Sequence, residues 1–141
     1  HKENTESRSS ALKVNLNGKK ILIVDDEEQN LEYMKVLFET YGAQVEAYTD
    51  VKKALSYFEQ NNRSTDLVVI DYIMPELNGC GLLHKMKEIK PGIKAIIVSG
   101  VCQQSEIDKL REMGIDAITK PFHVQEFIEQ AAEKISAKEE A

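Results

Sequence analysis

Ile21-Leu22-Ile23-Val24-Asp25-Asp26 is the stretch that decides the fold. Four apolar residues in a row leave no polar face, so the segment reads as a strand covered on both sides in the middle of a parallel sheet, and it breaks into two carboxylates where that strand must end. Leu67-Val68-Val69-Ile70 before Asp71, and Ala95-Ile96-Ile97-Val98 before Ser99, repeat the pattern. Between these runs the period becomes helical. Leu31, Met34, Phe38 and Tyr41 share a stripe closed by Gly42, and Val51, Ala54, Leu55 and Phe58 share a second, with Thr49 or Asp50 as cap and the polar residues 61–65 as its end. Leu82, Leu83, Met86 and Ile89 predict a third helix that begins near Gly81 and closes at Pro91-Gly92. Ile107, Leu110 and Met113 predict a fourth, ended at Gly114, and Val124, Phe127, Ile128, Ala131 and Ile135 a fifth. Residues 44–48 alternate, Val45 and Ala47 against Gln44 and Glu46, as at a half-wet sheet edge, and residues 117–119 form a short fifth strand. Five strands alternating with five helices predict an α/β fold, an open five-stranded parallel sheet with helices on both faces.

The 141 residues, 42% hydrophobic and 30% charged, suit a single globular domain. A net charge of -6 argues against a domain built to grip phosphate backbones or anionic membranes. Cys80 and Cys102 stand far apart with no CxxC or Cys/His cluster, so neither zinc nor a disulfide framework is indicated. No apolar run approaches the roughly 18 residues of a membrane span, and no signal peptide is seen, so the expected location is cytoplasmic. The first ten residues are polar and open on His1, as in a chain that is processed, tagged or cut from a longer one. Asn17-Gly18 is a hairpin signal. The strand at 21–24 should already have both edges occupied, however, so the segment before Gly18 reads as an arm packing elsewhere. The division expected is 1–18 arm or linker, 19–137 folded domain, 138–141 tail.

Ligands of such sheets bind beyond the carboxyl ends of the strands, at the switch in strand order. Strand one ends in Asp25-Asp26, strand three in Asp71, strand four in Ser99-Gly100 and strand five in Lys120. Carboxylates crowded there repel by roughly a few kcal/mol per pair at an effective dielectric near 20, and so call for a cation. Oxygen ligands with room for water suit Mg²⁺. Lys120 and Ser99 bring a positive charge and a hydroxyl suited to the oxygens of a phosphoryl group in flight, and the set reads as a phosphoryl-transfer site with a carboxylate nucleophile.

ILIVDDEEQN at 21–30, LVVIDYIMPELNG at 67–79, AIIVSG at 95–100 and AITKPF at 117–122 together resemble the receiver domain of two-component response regulators, over about residues 19–137. The resemblance implies the flavodoxin-like (βα)5 receiver fold with strand order 2-1-3-4-5. It implies that Asp71 is the phosphoacceptor, taking its phosphoryl group from the phosphohistidine of a histidine kinase or histidine phosphotransfer domain. Asp26 and Asp71 would ligate Mg²⁺ directly, Asp25 mostly through water, with the Ile73 backbone carbonyl completing the set. Lys120 would pair with Asp71 at rest and with the phosphoryl oxygens afterwards, and Ser99 would hydrogen-bond the phosphoryl group and draw its loop inward. The Lys120-Pro121 bond would be cis. On this reading the chain is no enzyme but a signalling domain that assists its own phosphorylation and dephosphorylation. It addresses a downstream protein through the surface of helix four and strand five. The polar arm ahead of LNGKKILIVDD resembles receivers joined to hybrid sensor histidine kinases. Direct contact with nucleic acid or membrane is not expected.

Two departures stand out. Ala117 occupies the place where many receivers carry an aromatic switch, so signal transmission must use the loop around residues 99–103 or another group. Ile73 and Val101 are apolar where some relatives place polar groups near the hydrolytic water, which predicts slow dephosphorylation. His84 and His123 read as solvated, Glu27 and Glu28 as either tuning the metal site or facing water, and Met74-Pro75 as fixing the loop after Asp71. Competing readings are weaker. An FMN-binding flavodoxin-like module would set its phosphate against Asp25, Asp26, Glu27 and Glu28. A Mg²⁺-dependent phosphohydrolase lacks a general acid close after Asp71 and a cap. A phosphorylation-independent scaffold has no use for the full set of Asp25, Asp26, Asp71, Ser99 and Lys120.

Overall fold

A computed structural model describes residues 14–72, 79–100, 104–112, 115–119 and 123–136. Expectations resting on Ile73, Met74, Pro75, Val101, Cys102, Met113, Gly114, Lys120 and Pro121, and on the side chain of Ile107, lie outside the described residues. The elements run β1 (Lys20–Val24), α1 (Glu28–Thr40), β2 (Gln44–Tyr48), α2 (Val51–Asn61), β3 (Leu67–Asp71), α3 (Gly79–Ile89), β4 (Ala95–Ser99), α4 (Gln104–Glu112), β5 (Asp116–Thr119) and α5 (Val124–Ser136). The strands form one parallel sheet in the order β2-β1-β3-β4-β5, with Val24 opposite Tyr48 and Ile70, and Asp71 opposite Val98.

The order explains the layers. From β1 the chain steps one way to β2, then reverses past β1 to β3, β4 and β5, and right-handed crossovers put helices of opposite steps on opposite faces. Leu22, Val24, Val68, Ile70, Ala95, Ile97 and Ala117 accordingly pack with residues of α2, α3 and α4. Ile21, Ile23, Leu67, Val69, Ile96 and Val98 pack with residues of α1 and α5. This period-two split of wholly apolar strands makes two cores from one sheet. Phe58 fills the first, while Phe38 and Phe127 meet edge to face in the second, ring centroids 5.4 Å apart. β2 lies at the sheet edge with Gln44 and Glu46 exposed, as its alternation predicts.

Local chemistry sets the boundaries. The Asp50 carboxylate, not Thr49, caps α2 by accepting from Lys52 N at 2.8 Å. Gly42, at φ +99°, turns the chain out of α1 as its N–H donates to the Glu39 carbonyl. α3 starts at Gly79, two residues ahead of the start expected near Gly81, because Gly79 N finds a partner in the Tyr72 carbonyl at 2.8 Å. Asn17-Gly18 does form a turn, with Lys19 N donating to Leu16 O at 3.0 Å, but φ is positive only at Gly18. A type I′ hairpin needs positive φ at both central residues and type II′ at the first, so this turn does not pair strands. It instead seats Leu16, assigned to the arm on sequence, in the core beside α1 at 1% exposure, where its N–H donates to the Tyr41 carbonyl.

Candidate functional site

The step reversal leaves the carboxyl ends of β1 and β3 side by side, and the residues there are acids. Asp25 follows β1 and is wholly buried. Its N–H extends the ladder to the Tyr48 carbonyl, and its Oδ1 accepts from Glu27 N at 2.9 Å, turning the chain toward α1. Asp71 is the last residue of β3 and only 8% exposed, and the next N–H, from Tyr72, donates to the Val98 carbonyl. Asp26 is exposed. One carboxylate oxygen from each of Asp25, Asp26 and Asp71 lies within 4.8 Å of the other two. An octahedral cation bound at about 2.1 Å spaces its ligand oxygens by about 3 to 4 Å, so small side-chain movements close the cluster around one Mg²⁺ ion. The donor set is all oxygen, and its exposed member leaves a wet side for further ligands.

Ser99 ends β4, the strand next to Asp71. Its hydroxyl is buried, with the residue 1% exposed, and has no hydrogen-bond partner among the described residues. Such a group costs about 1–3 kcal/mol, so it is an acceptor-seeking donor held at the same sheet edge. Thr119, the register partner of Ser99, is the last described residue before Lys120. The expected site residues thus divide into Asp25, Asp26 and Asp71, which come together, Ser99 on the adjoining strand end, and Lys120 and the Ile73 carbonyl, outside the described residues. Ala117 is buried opposite Ile97, three residues from the place of Lys120. His84 is exposed and pairs with Glu88 at 3.7 Å, and His123 is exposed. The Glu27 carboxylate accepts from Asn30 Nδ2 at 2.8 Å, facing the first turn of α1.

Sequence reading passed over Gly79, quoted only as the last residue of the 67–79 motif. It stands directly against the backbone of Asp71 and Tyr72. A glycine placed just where a helix meets the acceptor strand is the signal that could have marked it. Away from the acids, a groove of about 420 Å³ runs beside α2, lined by Tyr48, Lys52, Lys53 and Tyr57. Burial raises the pKa of both tyrosines, and for Tyr48 the 3.1 Å hydrogen bond to Glu46 adds to the shift.

Comparison with known proteins places this geometry in a wider set. A family model described as the response regulator receiver domain matches residues 21–132. The response regulator SaeR of Staphylococcus aureus is 31% identical over 109 residues, 77% of this chain and 46% of that protein, so the chain spans about half the length of this relative. A response regulator receiver domain protein of Clostridium thermocellum superposes with a TM-score of 0.78 at 30% identity, covering 83% of this chain and 94% of the other. A CheY-like receiver domain protein of Methanospirillum hungatei does so with a TM-score of 0.74 at 32% identity, covering 83% and 93%.

Proposed function

We propose, because this chain belongs to the response regulator receiver domain family, the phosphoacceptor module of two-component signalling, that Asp71 is the residue that takes the phosphoryl group. A phosphohistidine on a histidine kinase or phosphotransfer domain is the donor. Its N–P bond breaks as an Asp71 carboxylate oxygen forms the new O–P bond, giving an acyl phosphate, and the imidazole nitrogen leaves with the electron pair. Asp25, Asp26 and Asp71, with the Ile73 carbonyl, hold Mg²⁺. When bound, that ion offsets the charge of the carboxylates and of the phosphoryl oxygens.

The chain's own residues supply the rest. β3, the central strand, sets Asp71 at its carboxyl end beside Asp25. The Ser99 hydroxyl, which has no partner among the described residues, donates to a phosphoryl oxygen, and Lys120 binds another. Movement of Ser99 toward the phosphoryl group carries the change to the α4 and β5 surface, where a downstream protein reads it. With Ala117 in β5 no aromatic side chain takes part at that position. The folded unit reaches beyond the 19–137 expected from the sequence to take in Leu16, which is buried in the core beside α1. The observation that carries the reading is the convergence of three carboxylates within 4.8 Å at the ends of β1 and β3.

Intact-protein mass after incubation with MgCl₂ and acetyl phosphate tests it. One base-labile phosphoryl group is expected, dependent on Mg²⁺ and absent from Asp71→Asn. A Mg²⁺-independent adduct, or one that persists in Asp71→Asn, refutes the assignment.

A further inference from the structure

We infer that Gly79 is a positioning residue: the side chain it lacks is what lets β3 deliver the Asp71 carboxylate into the acidic cluster. The inference rests on the reading of Asp71 given above. A Cβ built on Gly79 would stand 2.5 Å from the Asp71 carbonyl oxygen, 3.0 Å from Tyr72 Cα and 3.2 Å from the Asp71 carbonyl carbon. All three are backbone atoms, which cannot rotate aside as the tip of a side chain can. Among the described residues only Gly18 and Gly42 have positive φ, so the demand at position 79 is one of contact and not of backbone conformation.

Two anchors decide which side gives way. α3 is held in the core by Leu82, Leu83 and Met86, each at most 1% exposed, and moving it would open that packing. β3 is at the end of its ladder, where the bond from Tyr72 N to the Val98 carbonyl, 2.9 Å, is the step beyond Asp71. Ordinary contact at about 3.4 Å therefore asks the strand end to move by about 0.9 Å, with Gly79 N still tied to the Tyr72 carbonyl at 2.8 Å. The carboxylate at risk is the one that must stay within 4.8 Å of Asp25 and Asp26. A misplacement of about 1 Å at a reacting group costs about 10²-fold in rate. Gly42, at the opposite end of the sheet, is a matched control: a Cβ there meets the Asn17 side chain, at positive φ and remote from the acids.

The test compares wild type, Gly79→Ala and Gly42→Ala by thermal melting, MgCl₂ titration calorimetry and phosphorylation by acetyl phosphate. Both variants should melt below wild type. Gly79→Ala should bind Mg²⁺ about tenfold more weakly and phosphorylate about 10²-fold more slowly, while Gly42→Ala keeps both within about twofold. Wild-type Mg²⁺ affinity and rate in a folded Gly79→Ala would overturn the inference. A measurement on the unmodified chain stands even where that variant does not fold: MgCl₂ should slow exchange of the Gly79 amide hydrogen, and an unchanged exchange rate in Mg²⁺-saturated protein overturns the inference as well. Failure of wild type itself to bind Mg²⁺ or take a phosphoryl group refutes the assignment of Asp71 and the inference with it.

Discussion

Replacing Asp71 by Asn keeps the side chain's shape, removes one of three clustered charges, and should make the metal-free protein more stable. A carboxylate oxygen of Asp71 lies within 4.8 Å of one on Asp25 and one on Asp26. At that separation each pair of charges repels by about 3.5 kcal/mol with an effective dielectric of about 20. The share of Asp26, which is exposed, is screened by water and salt to about 1 kcal/mol or less. The pair with wholly buried Asp25 keeps most of its value. The amide in turn forfeits charge-assisted hydrogen bonding by Asp71 worth roughly 1.5–3 kcal/mol. The balance is a gain of about 1–2 kcal/mol, which for a chain of this size raises the melting temperature by about 4–8 °C. The assay is calorimetric melting at pH 7 and low salt with a chelator present, repeated with excess MgCl₂. Wild type should gain stability from Mg²⁺ by mass action, the variant far less, so that the two melts converge or cross. A variant melting at or below wild type in chelator would show that these carboxylates are not in net repulsion, and the electrostatic argument for a cation would fall.

Three further outcomes follow from the same structure. Ser99→Ala removes a buried hydroxyl that has no partner among the described residues and should stabilise the resting protein by about 1 kcal/mol, while slowing phosphorylation by roughly 10²-fold; a destabilised variant with wild-type kinetics would contradict this. Phe127→Ala should cost about 3–5 kcal/mol in urea unfolding, and a double-mutant cycle with Phe38→Ala should return about 0.5–1.5 kcal/mol of coupling for their edge-to-face contact. Because burial holds the pKa of Tyr48 and Tyr57 above 10.0, both stay neutral longer in the folded chain than in the unfolded one. Their contribution to stability is complete below that pH and lost as pH rises through the raised values, so ultraviolet titration should show two late tyrosinate steps. Glu46→Gln should bring the Tyr48 step part of the way back.

The three apolar strands were legible because wholly buried parallel strands have only one way to read, and a reader who places Asp25, Asp71 and Ser99 just after such runs has already put them on one edge. The helical stripes were legible for the same reason, since each buries one face on the sheet. Contacts that depend on two distant backbones meeting were not. Gly79 looks like any turn former until α3 is docked on β3, and Leu16 looks like part of a polar arm until α1 is placed to cover it. Lys90 is similar: its ammonium donates to the Asn62 and Thr65 carbonyls, closing the turn between α2 and β3 from just past the end of α3, 28 and 25 residues on. Nothing local to Lys90 announces that role.

Leu16 also bears on where this protein can be cut. A shortened chain beginning at Lys19, the boundary its sequence suggests, would lose a fully buried leucine, the hydrogen bond it makes to Tyr41, and the Asn17 side chain packed against Gly42. Burying a leucine contributes about 1.5–3 kcal/mol, a sizeable fraction of the total stability of a small domain. The trimmed protein would also uncover part of the apolar cluster that Leu16 shares with α1, inviting self-association where the longer chain is covered. A tag or fusion partner is best attached ahead of Val14, where it leaves that plug in place.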